Sequence, residues 1–164
     1  MLPMFVSLLT RLELAVTDQE YIQHWSTSKE FTIAVAERMP NESYNFRPSP
    51  QQRTFAELMT HIAVSQAGGI ARIAGVESPV KPPLRLDQEH VIQLLGESFD
   101  FCIEQMKEFQ MPRMRRSYSV EGHDSREATG AELLLEIFQH TAHHRGQAEM
   151  YLRAVGIQPP PYRP

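Results

Sequence analysis

His140-Thr-Ala-His-His-Arg-Gly-Gln-Ala-Glu-Met-Tyr151 sets three histidines on little more than one helical turn. The surrounding residues have helical period. Leu133, Ile137, Thr141, Ala148, Tyr151, Leu152 and Val155 gather on one face when successive positions are rotated by about 100°. A helix near residues 130–155 follows, with His144 close to the centre of the apolar face, His140 at its edge and His143 well outside it. Positions i and i+4 of a helix project to the same side, so His140 and His144 can address one ion, while His143 faces solvent or a partner.

Two imidazoles do not complete a metal site, because zinc and its neighbours take three or four protein ligands, or three with one position left open for chemistry. The remaining histidines are His24, His61, His90 and His123. His61 lies in Thr54-Phe-Ala-Glu-Leu-Met-Thr-His-Ile-Ala, a second strong helix pattern, at the margin of its apolar face beside Leu58 and Ser65. That placement permits a ligand without requiring one. His90 follows a helix start at Asp87, His123 sits in a loop with Gly and Asp, and His24 is on a mostly polar helix. Each of these three reads more easily as solvated.

Helix punctuation is regular along the rest of the chain. Thr17 with Glu20, Thr54 with Glu57 and Thr129 with Glu132 match the T-x-x-E capping box, in which hydroxyl and carboxylate each satisfy an orphan backbone N–H. Asp87 caps a further helix, and stops fall at Pro40, at Gly75 before Pro79, at Pro112, and at Gly156 before Pro159. The expected architecture is all-α, a four-helix bundle with helices near 18–39, 55–74, 88–110 and 130–155 and a long connection before the last helix. That connection contains Ser-Tyr-Ser-Val and has room for a short β-hairpin. Residues 1–16 read as an N-terminal extension to a bundle domain spanning 17–164. The extension is apolar but fails as a signal peptide: no basic residue precedes the apolar run, Arg11 and Glu13 end it early, and no small-residue cleavage site follows.

Composition bounds the function. A chain of 164 residues with 41% apolar content suffices for one core. The formal charge is −4, and the cations are scattered apart from Arg113, Arg115 and Arg116. Nucleic acid is excluded as an expected partner, since phosphate binding needs a dense basic face. No stretch is long enough to span a bilayer. Cys102 is the only cysteine, so no internal disulfide forms and a reduced, cytoplasmic compartment is expected. Apolar surface on Met1 to Leu14 and on the third helix points to a homodimer built on helix faces. Gly68 and Gly69 interrupt the second helix at a cost of about 1 kcal/mol each, which favours a close packing contact there over the alternative of room for a ligand one to two turns beyond His61. Gln147 falls on the His140 side of its helix, where it can steady an imidazole or meet a substrate. Arg145 can do the same, or be an ordinary surface or interface cation.

These segments resemble the DinB/YfiT-like superfamily of four-helix bundles with a three-histidine metal site. The likeness rests on Glu-Leu-Met-Thr-His61-Ile-Ala, preceded by Asn-Phe-Arg-Pro-Ser-Pro and Arg-Thr-Phe. It rests equally on an H-x-x-x-H-R-G-Q signature at His140, His144, Arg145, Gly146 and Gln147, followed by Tyr-Leu-Arg and Gly-Ile-Gln-Pro-Pro-Pro. It runs from about Thr17 to the C-terminus. The resemblance implies His61, His140 and His144 as ligands of a divalent transition metal, zinc by default, with nickel or iron as alternatives. Similar proteins include S-transferases that use low-molecular-weight thiols, thiol-dependent isomerases and metal-dependent hydrolases. The implied function is activation of a small thiol for transfer to an electrophilic small-molecule substrate. The alternatives are a metal-dependent hydrolase and a noncatalytic metal- or ligand-binding bundle of the stress response. No catalytic base is assigned by the sequence.

Overall fold

A computed structural model describes residues 18–108, 111–120 and 126–163. Its long helices are α1 (Asp18–Arg38), α2 (Phe55–Ala74), α3 (Gln88–Lys107) and α5 (Gly130–Ala154); a short α4 (Met111–Arg115) and an antiparallel pair, β1 (Ser117–Val120) and β2 (Arg126–Thr129), precede α5. The sequence-derived bundle is therefore present, and its helix starts form as the capping residues dictate. Thr54 and Thr129 each accept from the backbone N–H three residues on, and Glu57 and Glu132 each reach back to the cap N–H. Asp87 accepts from the His90 N–H at the start of α3. The Thr17 and Glu20 pairing lies outside the described residues. Gly75 ends α2 in the left-handed conformation at φ 74°, where a Cβ would be strained.

The connection into α5 differs from expectation. α3 stops at Lys107, three residues short of the expected 110, and the Glu108 N–H turns back onto the Gln105 and Met106 carbonyls. Pro112 then falls in the first turn of α4, where its missing N–H has no helical partner to lose. The hairpin follows, with Ser117 opposite Thr129 and Val120 opposite Arg126. Both are tied to the bundle through the C-terminal end of α2. Arg113 donates to the carbonyls of Ile73 and Ala74, and the Tyr118 hydroxyl donates to Ile73 O at 3.2 Å. A cation at those orphan carbonyls also meets the negative end of the helix dipole.

Around the bundle α2 packs against α3 and α5, and α1 against the same two, so α1 and α2 are diagonal. Phe31, Val35, Met39, Phe55, Met59, Ile62 and Leu95 fill one half of the core; Trp25, Ile70, Ile73, Phe99 and Cys102 fill the other. Between the halves Gln66 donates to Ser98 Oγ at 2.6 Å and accepts from Thr141 Oγ1 at 3.1 Å, joining α2, α3 and α5 by a fully buried polar bridge. The side-by-side packing of α2 and α5 is what sets up the site.

Candidate metal centre

His61 leaves α2 one helical repeat after the capping box, on the flank that faces α5. There it meets His140 and His144. Each of the three half-buried imidazoles offers a ring nitrogen, and these nitrogens lie within 4.8 Å of one another. Nε2 of His61 is 3.2 Å from Nε2 of His140. Two nitrogens bound to one tetrahedral ion at 2.0–2.1 Å would sit about 3.3 Å apart. Ring centroids are 5.0 Å apart for His61 and His140, 4.7 Å for His61 and His144, and 4.4 Å for His140 and His144. Three imidazole donors converging this closely fit a divalent ion of the zinc type and leave at least one coordination position open.

The electrostatics favour the neutral form of His61 and His140. Burial lowers the pKa of His61 from 6.5 to about 4, with further pressure from Arg53, His140 and His144. His140 is lowered as well, first by burial and then by His144, His143 and Arg53. Neutral imidazole is the form that ligates metal. The outer nitrogens are held in register. Gln147 Oε1 accepts from His144 Nδ1 at 2.7 Å, and Gln147 Nε2 donates to His143 Nε2 at 3.0 Å. With Nδ1 of His144 carrying its proton, Nε2 presents a lone pair. Ser65 Oγ lies 3.2 Å from His61 Nδ1 and can do the same for α2.

The other histidines do not join this group. His143 is exposed, as the helical wheel puts it; it meets the His144 ring edge-on at 5.0 Å and accepts from Gln147, but its nitrogens are not among the converging donors. His24 is exposed; His90 is half-buried and bound through Nδ1 to its own helix cap, Asp87, at 2.6 Å. His123 lies outside the described residues.

Two clefts flank the triad. The larger, about 860 Å³, is lined by Arg53, Leu58, His144, Gln147, Met150 and Tyr151 among others, with Gln51 and Gln52 at its polar edge. Its volume suits a small molecule. The Tyr151 hydroxyl donates to the Arg53 carbonyl at 2.9 Å and so fixes the loop that carries this cation over the cleft. The smaller, about 220 Å³, is lined by Ser65, Glu136, Ile137 and His140. Glu136 is ion-paired there with Arg126 of β2.

Arg145 corrects an expectation. Far from being a surface cation, it is 7% exposed, and among the described residues its hydrogen bonds and ring contact are with α1: Nη1 donates to Ser28 Oγ at 2.7 Å and Thr32 Oγ1 at 3.4 Å, and the guanidinium lies 4.6 Å from the centre of the Phe31 ring. One residue after His144, the chain has turned by about 100°, which carries the side chain away from α2 and toward α1.

A DinB family model matches residues 4–163. The chain belongs to the DinB family. Among similar proteins, the uncharacterised Bacillus subtilis (strain 168) protein YjoA is 23% identical over 145 residues, covering 84% of this chain and 90% of the relative. The crystal structure of that DinB-like protein superposes with a TM-score of 0.73 at 22% identity, covering 87% of this chain and 96% of the other. A DinB-like protein from Bacillus cereus ATCC 10987 gives a TM-score of 0.75 at 17% identity, over 88% and 97% of the two chains. At these identities the structural likeness establishes a shared fold.

Ser65, Arg53 and Glu136 went unassigned in the sequence. Ser65 is four residues after His61 and Glu136 four before His140, so helical spacing alone could have nominated both. Arg53 precedes its helix, where no periodicity marks it.

Proposed function

We propose that His61, His140 and His144 bind a divalent transition metal, zinc in the first instance, and that the protein uses it to activate a low-molecular-weight thiol for transfer to an electrophilic substrate. The observation that carries this reading is the convergence of three imidazoles, of which His144 lines a cleft of about 860 Å³ that has no carboxylate among the described residues lining it. When bound, such an ion supplies Lewis acidity, lowering the pKa of a thiol or water in its open position toward neutrality. A thiol acidified in this way needs no protein base, whereas water-based hydrolysis is served by one. The chain's own thiol is unsuited: Cys102 is fully buried and its pKa is pushed well above the ordinary range by desolvation. The thiol would come from solution.

In this reading Gln147 and Ser65 hold the imidazole tautomers. Leu58, Met150, Tyr151 and Ala154 provide the apolar wall that limits water, and Arg53 draws an anionic group of the thiol or its acceptor toward the triad. Hydrolysis is the second reading, and Glu136 favours it, as a carboxylate beside His140 in the smaller cleft. The test uses metal-replete, untagged protein in parallel assays of thiol transfer and of ester and amide hydrolysis. Thiol-dependent loss of electrophile, abolished by His144→Ala and retained in Glu136→Gln, is the expected result. Hydrolysis lost in Glu136→Gln would replace it with the second reading, and no turnover by fully loaded protein would leave a noncatalytic metal-binding bundle.

A further inference from the structure

The back of α5, away from the histidines, carries a buried cation that the metal centre does not use. Arg145 remains charged in a protein at any ordinary pH, and buried charges are normally paired. No carboxylate lies within ion-pair distance of it among the described residues; its protein contacts are two hydroxyls and a ring face. Both hydroxyls engage Nη1. Nη2 and Nε, the other edge of the guanidinium fork, have no protein acceptor among the described residues. The side chain forms part of the wall of a cleft of about 450 Å³, whose other walls include Phe31, Phe138, Ala142 and Tyr162. Arg163 and His24 stand at the same cleft, so Arg145 is not its only basic side chain. Glu149, the one carboxylate lining it among the described residues, is paired with Arg153 at 3.7 Å.

We infer that this cleft is a second ligand site, for a small anion that presents a carboxylate or phosphate to the free edge of Arg145 and an aromatic or aliphatic body to Phe31, Phe138 and Tyr162. A planar guanidinium already fixed by Ser28 and Thr32 is preorganised for such an oxyanion, which it grips with two parallel N–H bonds. The anion also brings a counter-charge into hydrogen-bond range of Arg145, where the fold supplies only the more distant Glu149, itself paired with Arg153. The chain's end takes part: Tyr162 meets Phe31 edge-on at 6.0 Å and Arg163 pairs with Glu30 at 3.2 Å, which closes one side of the cleft. The site lies on the α1 side of α5 and stands independently of what the histidines bind.

The test is calorimetric or NMR titration of the intact protein with benzoate, phenyl phosphate and the neutral benzyl alcohol. Saturable binding of at least one anion is expected, with the alcohol at least about tenfold weaker, as loss of a charge-assisted pair requires. The ratio of benzoate to phenyl phosphate affinity tells which oxyanion is preferred. Arg145→Lys keeps the charge but loses the fork, and should weaken the anion about tenfold or more. Arg163→Gln, at an exposed position where folding is not at issue, should weaken it severalfold. His61→Ala should leave it unchanged, because the metal centre is not the binding site. Failure of both anions to saturate at tens of millimolar, undiminished binding in both arginine variants, or loss of binding in His61→Ala would overturn the inference.

Discussion

Adjacent glycines on α2 should respond to the same substitution with opposite signs. A Cβ added at Gly68 would meet nothing within 4 Å, whereas one at Gly69 would lie 2.6 Å from Ile137 Cδ1 and 2.8 Å from its Cγ1. In a helix interior alanine is favoured over glycine by about 1 kcal/mol. Gly68→Ala should therefore stabilise the protein by roughly that amount, which for a domain of this size is about 2–4 °C in Tm. At Gly69 the same gain is opposed by overpacking, typically 1–3 kcal/mol. Ile137 is β-branched and stiff in a helix, so its Cγ1 cannot simply swing aside. The expected net for Gly69→Ala is a loss of about 0–2 kcal/mol. The α2–α5 contact also sets the spacing of the triad, since His140 is one turn beyond Ile137 and His61 about 12 Å along α2 from Gly69. Gly69→Ala should thus weaken metal binding, while Gly68→Ala leaves it unchanged. Urea denaturation of metal-free protein measures the first effect and competition with a chromogenic chelator the second. In the double variant Gly69→Ala with Ile137→Ala, a coupling of about 1 kcal/mol should appear. Equal stabilisation by both single alanines would refute the close-packing account.

Ligand choice is tested by stoichiometry: His144→Ala should abolish binding of one metal per chain and His143→Ala should leave it nearly intact, with His61→Ala and His140→Ala equally damaging; parity between His143 and His144 would contradict the assignment. Because His61 and His140 have pKa values below that of an unfolded imidazole, the metal-free folded chain binds fewer protons than the unfolded one below about pH 6.5, so its stability should fall as pH drops from there toward about 4. Denaturation at pH 7 and pH 5 checks this, and His61→Ala should flatten the dependence; an unchanged slope would count against a buried neutral imidazole. Gln66→Leu should cost about 1–3 kcal/mol, because the Ser98 and Thr141 hydroxyls lose their shared partner inside the core, and thermal unfolding that matches the parent protein would show that the bridge contributes little.

What the sequence disclosed and what it withheld divide along the range of the interactions. Capping boxes at Thr54 and Thr129 are local devices, complete within four residues, so helix starts could be read without any tertiary knowledge. His144 could be separated from His143 on the same footing, because neighbouring positions on a helix differ by about 100°. Arg145 could not. It lies four residues after Thr141 and three before Ala148, on the buried stripe, yet its charge outweighed its position; only contact with Ser28 and Phe31, more than 110 residues away in sequence, makes that burial tolerable. The Gln66 bridge is hidden for the same reason. α4 was missed because Pro112 reads equally as the end of one helix and the first turn of the next, and the carbonyls that Arg113 satisfies belong to α2.

In the two proposed readings, the consecutive residues His144 and Arg145 serve two uses at once. Since α1 and α2 are diagonal across the bundle, a helix between them presents one flank to each, and a step of one residue is enough to change flank. The flank toward α2 gathers three ring nitrogens, with burial and Arg53 favouring the neutral form of His61 and His140. The flank toward α1 buries a permanent cation against hydroxyls and an aromatic face. Neither arrangement is what a bundle core needs for stability alone: half-buried imidazoles add little packing, and an unpaired buried guanidinium costs desolvation. Gly146 sharpens the point, because a Cβ there would meet nothing within 4 Å and yet the position forgoes about 1 kcal/mol of helix propensity. Polar residues and a glycine concentrated in one stretch of an otherwise well-capped, well-packed helix are what a binding role, as proposed for this stretch, accounts for and folding stability alone does not.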